Sequence, residues 1–211
     1  MTKDLTNTPA LVSGTAGYAE DAEWLIPRYE SVDFLEKYRA VIHLFPEAPS
    51  AILDVGAGTG ADAGWLAQKA HRVVAVEPVA AFREAGIKLH PSSRIDWLDD
   101  SLPQLLKVQR NKKGFDLVLV SAVWNHLAPA EREQAISRLA TLVATGGHLI
   151  LSIRHGIAPA NRRMFDVSTD ETTRLATAHH FKLVVNAQTP SVQLLNRQAG
   201  VTWSWLAFRN A

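Results

Sequence analysis

The chain has 211 residues, with 22 Lys and Arg set against 21 Asp and Glu, and a formal charge of +1. That length suits one domain with a substantial core, and the charge balance gives no electrostatic case for nucleic acid or an anionic membrane. With no cysteine there is no disulfide framework, thiolate metal site or thiol nucleophile. No apolar run reaches the roughly 18 residues of a membrane span, and no secretory pattern opens the chain, so the expectation is a cytoplasmic protein.

Residues 1–17 are rich in Thr, Pro, Gly and Ser and carry no apolar period, as in a tail. Residues 18–29 bring Trp24, Leu25 and Ile26 close to Arg28 and Tyr29, a pattern for a short helix or a flap. Residues 1–30 are therefore set apart from a single domain over 31–211. Ser31 is the expected N-cap of the next helix, with Asp33 and Glu36 in its first turn. Phe34, Leu35, Tyr38, Ile42 and Phe45 repeat at helical spacing until Pro46.

An apolar strand over 51–54 runs into LDVGAGTGADA, which reads as strand, Gly-rich turn and helix. The helix is predicted over 61–70 with Trp65 and Leu66 inward. A β-branched strand over 72–76 ends in Glu77-Pro78, and a helix over 80–89 precedes a short strand over 94–98 and Asp99-Asp100. Residues 115–120 are apolar throughout, as in a strand buried on both faces. Pro129 opens a helix whose buried stripe is Ala135, Ile136, Leu139 and Val143, and Gly146-Gly147 is expected to end it. A fifth strand follows over 148–153. Ser168 and Glu171 fit a capping box for a helix ending at His179 and His180. The last strands are predicted over 181–185 and 201–208, with no clear helix between them. That gap is short for a parallel crossover, so the final strand should insert antiparallel.

Alternating strands and helices imply a doubly wound α/β sheet, whose ligands bind beyond the C-terminal strand ends. Asp54, Glu77, Leu98, Asp99 and Ser121 would then line one crevice. Glu77 is placed to accept from both hydroxyls of a ribose, and Asp99 from an adenine amine. Gly56, Gly58 and Ala61 also satisfy the dinucleotide pattern G-x-G-x-x-A, which keeps an NAD(P)-dependent oxidoreductase as an alternative.

The segments LDVGAGTG, VVAVEP, WLDDSLP, FDLVLVSAVWNHL and LVATGGHLILSIRHG, in this order, resemble class I S-adenosylmethionine-dependent methyltransferases. The resemblance spans residues 52–156. It implies a mostly parallel seven-stranded sheet in the order 3-2-1-4-5-7-6, strand 7 antiparallel, with helices on both faces. It also implies S-adenosyl-L-methionine as cofactor and S-adenosyl-L-homocysteine as product. Carried over by residue, Asp54, Gly56, Ala57, Gly58 and Gly60 would hold the methionyl part and face the ribose. Glu77 and Pro78 would take the ribose, Leu98 and Asp99 the adenine, and Ser121 and Ala122 would lie under the methionine. The acidic loop is one residue shorter than in many relatives, so Asp99 and Asp100 could exchange roles. An acid two residues before the first glycine suits a cationic ligand and disfavours a pyrophosphate.

On the acceptor side, His126 and His155 follow strands on the active face, and either could be a general base. His126 could equally shape the loop before Pro129. Arg154, Arg162 and Arg163 suit an anionic small molecule, unless Asp166 or Asp170 pairs with them. Trp124 could flank adenine or acceptor, and Arg28 and Tyr29 could reach the cofactor's carboxylate. Trp65 and Trp97 read as core, and Trp203 and Trp205 as one strand face packed under a helix. No metal-ligand spacing is seen. The expected reaction is methyl transfer to a small-molecule acceptor. A nucleic-acid or protein methyltransferase would bring a basic face or recognition module, and a non-catalytic partner subunit would keep only the cofactor pocket.

Overall fold

A computed structural model describes residues 12–110 and 112–211, so most of the predicted tail, residues 1–11, lies outside the described residues. The helices are α1 (Ala22–Glu30), α2 (Phe34–Tyr38), α3 (Ala61–Gln68), α4 (Ala80–Leu89), α5 (Pro129–Leu142), α6 (Thr169–Ala178) and α7 (Leu194–Gln198). The strands are β1 (Ala51–Val55), β2 (Arg72–Val76), β3 (Ile95–Leu98), β4 (Phe115–Val120), β5 (Val143–His155), β6 (Phe181–Pro190) and β7 (Thr202–Asn210). They form one sheet in the order β3-β2-β1-β4-β5-β7-β6. The pairs β1–β2, β1–β4, β2–β3 and β4–β5 are parallel, whereas β7 runs antiparallel to both β5 and β6. This is the predicted topology. Only the five-residue α7 lies between β6 and β7, too little to return the chain for a parallel crossover.

Strand residues alternate between two apolar layers, because successive side chains leave a strand on opposite faces. Val118 and Val120 join Leu53, Leu149 and Leu151 under α5, whose Ile136 and Leu139 are fully buried. Leu117 and Leu119 join Ile52, Val73 and Ala75 on the other face, against Leu66 of α3 and Phe34 and Tyr38 of α2. Burial on both faces is why β4 reads as a continuous apolar run. The α5 and α6 ends are tied by Arg132, 2% exposed, which donates to Glu171 Oε1 at 2.6 Å and 3.0 Å and to the Leu127 carbonyl at 2.5 Å. Among the described residues, no helix is long and apolar enough to cross a membrane.

Four local expectations are corrected. Ser31 does not cap α2; its hydroxyl bonds the Arg28 carbonyl at the end of α1, and Asp33 caps α2 by accepting from the Glu36 N–H at 2.7 Å. The helical period over 34–45 is then met by a short helix and a 3-10 turn, Ile42–Leu44, which fold Phe45 back edge-on to Phe34 and Tyr38. Gly146-Gly147 is not a helix cap. α5 stops at Leu142, and both glycines lie inside β5, where the register against β4 slips between Phe115 and Leu117. A Cβ on Gly147 would lie 2.9–3.0 Å from the carbonyl oxygens of Asp116, Ala144 and Phe115, so the close approach of strands selects glycine there. The Ser168 cap accepts from the Glu171 N–H at 3.0 Å, whereas the Glu171 side chain turns to Arg132.

Candidate active site

A cavity of about 600 Å3 opens beyond the C-terminal ends of β1, β2, β4 and β5. That size is typical of small-molecule sites. Its cofactor end is built on the turn after β1. Gly56 and Ala57 both donate their N–H groups to the Val76 carbonyl, at 2.8 Å and 2.9 Å, which binds the turn to the end of β2. Gly56 has φ +75°, and a Cβ there would meet Val123 Cγ2 at 2.3 Å, so both conformation and space demand glycine.

Glu77 follows β2 and is buried. Its Oε2 accepts from the Gly58 N–H at 2.8 Å and its Oε1 from the Val79 N–H at 2.7 Å, which fixes the carboxylate against the glycine turn. Burial pushes its pKa up to about 7, against the opposing pull of those two N–H groups and Arg83. Asp54 at the end of β1 is 2% exposed, and its Oδ2 has no hydrogen-bond partner among the described residues. Burial, then Asp62 and Glu77, raise its pKa, while Lys37 offsets part of the effect. Asp62, in the first turn of α3, accepts from Lys37 Nζ at 2.5 Å and from the Tyr38 hydroxyl at 2.6 Å.

Three carboxylates therefore gather under the glycine turn, one with an orphaned buried oxygen. A ligand bearing an ammonium and a sulfonium completes that environment, and a pyrophosphate would meet repulsion. The residues fit S-adenosylmethionine on this count.

Helix α1 covers the same end. Glu30 accepts from the Thr59 hydroxyl and pairs with His90 Nε2 at 2.9 Å, while Tyr29 lies over Gly58. Arg28 reaches the cavity wall with its guanidinium over the Trp24 ring.

The acceptor end is formed by Tyr18, the turn after β4, β5, β7 and residues 159–164. His126 Nδ1 lies 2.7 Å from the Arg163 carbonyl and Nε2 lies 2.9 Å from the Tyr18 hydroxyl. A carbonyl only accepts, so Nδ1 carries a hydrogen, and in the neutral ring Nε2 holds the lone pair. Burial lowers the imidazole's pKa, as do Arg162, Arg163 and Arg154. On β5, Ser152 and Arg154 share the cavity face with Trp205 and Trp203, their partners across β7. Asn125 stitches this corner, its Oδ1 accepting from the Arg154 N–H at 2.7 Å and its Nδ2 donating to the Arg154 and Phe165 carbonyls.

Among the sequence candidates, Gly56, Ala57, Gly58, Glu77, Pro78, Ser121, Ala122, His126, Arg154, Arg162 and Arg163 all line this one cavity. Asp54 lies beneath its wall and Gly60 opens α3 beside it. Four candidates are placed elsewhere. His155 falls on the opposite face of β5 from Arg154, bonded to Ser204 Oγ at 2.8 Å, as strand alternation requires. Trp124 is fully buried under α6, its Nε1 donating to Thr172 Oγ1 at 3.0 Å. Leu98 packs on the core layer, and Asp99 is exposed between Arg83 and Lys107. The cavity wall holds Asp100, Ser101 and Leu102 instead, and Asp100 is occupied with the N–H groups of Ser101, Leu106, Lys107 and Val108.

Sequence reasoning passed over Tyr18, Glu30, Lys37 and Asp62. Asp62 was visible as an acid in the first turn after the glycines; the other three sit in N-terminal segments whose contact with the turn is purely tertiary.

Residues 52–147 match the family model described as a methyltransferase domain. Over that stretch the chain carries a methyltransferase domain. An uncharacterized methyltransferase of Mycobacterium tuberculosis is 30% identical over 117 residues, which is 52% of this chain and 42% of that protein. An uncharacterized methyltransferase of Anoxybacillus flavithermus is 26% identical over 124 residues, 57% of this chain and 55% of that one. The methyltransferase matches thus span about half the length of these relatives. The 1,6-didemethyltoxoflavin-N1-methyltransferase of Burkholderia thailandensis shares the fold, with a TM-score of 0.72 at 20% identity over 92% of this chain and 85% of that one. So does the N-methyltransferase NodS of Bradyrhizobium japonicum, with a TM-score of 0.62 at 16% identity over 90% and 98%.

Proposed function

We propose that this chain transfers a methyl group from S-adenosylmethionine to a small-molecule acceptor. The carrying observation is the buried Asp54 Oδ2, unpartnered among the described residues, beside Asp62 and Glu77 and under a glycine turn where a Cβ on Gly56 or Gly60 would crowd Val123 or Trp97. When bound, S-adenosylmethionine supplies a methyl carbon activated by a sulfonium, whose bonding pair leaves on sulfur as a neutral thioether. The Burkholderia neighbour binds 1,6-didemethyltoxoflavin together with S-adenosylhomocysteine, and NodS binds S-adenosylhomocysteine, which supports the same use of this cavity.

In this reading Glu77 orients the ribose, Asp54 and Asp62 neutralise the ammonium, and Arg28 faces the methionine carboxylate. The rest is positioning: aligning an acceptor and excluding water can lower the barrier by roughly 7 kcal/mol or more. Tyr18 and α1 close one side and residues 159–164 the other, joined where Asp21 accepts from Arg162 Nη2 at 2.6 Å and Asn161 Nδ2 at 2.9 Å. His126 Nε2, which faces the Tyr18 hydroxyl at 2.9 Å, acts as the base at that end. The cavity enclosed by these segments supports a small acceptor over a macromolecule.

Calorimetric titration with S-adenosylmethionine, S-adenosylhomocysteine and NADH tests the reading. Micromolar binding of the first two alone is expected; binding of NADH alone would recast residues 56–61 as a dinucleotide turn.

A further inference from the structure

The three arginines at the acceptor end are not equivalent. Arg162 is committed to Asp21 at 2.6 Å and lies over the Tyr18 ring at 4.1 Å. Arg163 is committed to Glu131 at 2.9 Å and to the His126 carbonyl at 2.9 Å. Among the described residues Arg154 has no carboxylate partner, and its guanidinium bonds only the Gly156 carbonyl, at 3.0 Å. It nevertheless stands in the cavity wall on the same β5 face as Ser152, between Trp203 and the Tyr18–His126 pair. With Arg162 and Arg163 neutralised, Arg154 leaves one net positive charge on this end of the cavity.

A half-buried guanidinium with four of its five N–H groups unused is an anion site, since its planar fork matches a delocalised negative group. An ammonium placed there would meet that charge with no acid to pair with. The neighbouring imidazole has the complementary chemistry. Its Nδ1 donates to the Arg163 carbonyl, so in the neutral ring Nε2 is the acceptor, and the group facing it is the Tyr18 phenol at 2.9 Å. The Tyr18 hydroxyl thus occupies the position an acidic O–H or N–H of an acceptor would take. The charged and titratable groups facing this imidazole are Tyr18, Arg154, Arg162 and Arg163, with Glu131 behind Arg163.

We infer that the acceptor is a small molecule whose nucleophile is an acidic O–H or N–H, its proton passing to His126 Nε2 and the resulting anion facing Arg154. This deepens, and rests on, the methyltransferase reading. The balance is simple: the acceptor's heteroatom keeps its bonding pair and becomes the anionic nucleophile, His126 becomes an imidazolium, and that proton then leaves to water. Arg154 is the specificity-determining residue, because it favours the ionised acceptor and repels an ammonium.

The test uses para-nitrophenol, whose ionised form absorbs in the visible, and benzylamine as the cationic counterpart. Affinity for S-adenosylhomocysteine is measured first; if it is absent, the methyltransferase reading itself falls, and this inference with it. On the complex with S-adenosylhomocysteine, para-nitrophenol should bind as the phenolate at a pH where the free probe is mostly neutral. Benzylamine should not bind. Arg154→Met should weaken the phenolate about tenfold or more, with Arg154→Lys in between, while S-adenosylhomocysteine affinity stays unchanged in both. Normal S-adenosylhomocysteine binding with no phenolate binding, with the probe bound as neutral phenol, with equal binding by Arg154→Met, or with benzylamine bound as well, overturns the assignment and leaves the cofactor reading standing.

Discussion

Tyr18 and His126, 108 residues apart in sequence, meet at 2.9 Å between the phenol oxygen and Nε2, and the Arg163 carbonyl holds Nδ1 at 2.7 Å. A neutral imidazole in these contacts carries its hydrogen on Nδ1, because the carbonyl can only accept. Burial acts first to lower its pKa below the usual 6.5, and the three guanidiniums around it add to this, against the Arg163 carbonyl. Nitrogen NMR of the imidazole should show the Nδ1–H tautomer persisting through pH 6.5. The linkage follows from the sign. Below about pH 6.5 the unfolded chain takes up a proton that the native imidazole refuses, so stability falls as pH drops through that value. His71 and His148, lowered in the same direction, steepen the loss. An imidazolium at pH 6.5 would show that the phenol is the acceptor of this bond.

Asp54 carries the opposite sign. Its folded pKa is raised from 3.8 to about 8, so its contribution is fully present below the unfolded value and is lost as pH rises towards 8. Asp54→Asn should remove that slope. The variant should melt higher than wild type at pH 8, with the difference closing towards pH 4, and should bind S-adenosylmethionine about tenfold or more weakly for want of the charge. Thermal melts across pH, paired with calorimetry, read both effects. Loss of stability at pH 8 would mean that Asp54 is paid back within the native chain — by Lys37 — and is not held in reserve for a ligand.

Gly56 faces Val123 so closely that an added methyl would sit 2.3 Å from its Cγ2, on a backbone with φ +75°. Gly56→Ala should cost more than about 1 kcal/mol from the backbone alone, with the clash added. Gly56→Ala with Val123→Ala should recover only the steric part. Equal stability of the single variant and wild type in urea melts would show that the turn relaxes into another conformation.

How far these contacts were legible depends on their range. Strand order and the antiparallel β7 follow from local alternation, loop length and a recognisable run of motifs, all written along the chain. The glycine turn and Glu77 were legible for the same reason, each being tied to a strand end. Trp124 and His155 were not. Each lies one or two residues from a true wall residue, and only the alternation of β5 and the packing under α6 decide which way they point. Tyr18, Glu30 and Lys37 reach the site from segments with no local signature. The Gly146-Gly147 pair looked like a helix cap because a cap and a bulge both favour glycine; the crowding of Gly147 against β4 appears only once the strands are side by side.

Arg132 offers a test of the scaffold apart from the site. Its side chain is 2% exposed and Glu171, itself 29% exposed, is its one carboxylate partner among the described residues. Removing one member leaves a buried charge uncompensated, at a cost of about 3 kcal/mol or more. For a chain of this size Glu171→Ala should lower Tm by roughly 6–12 °C. Glu171→Gln, which keeps an acceptor, should lose about half as much. The double substitution Arg132→Met with Glu171→Leu replaces both charges by apolar groups of similar reach and should return close to the wild-type Tm, because the pair's attraction mainly offsets its own desolvation. If the double variant is as unstable as Glu171→Ala, the ion pair fixes the α5–α6 packing in a way that apolar contact cannot replace.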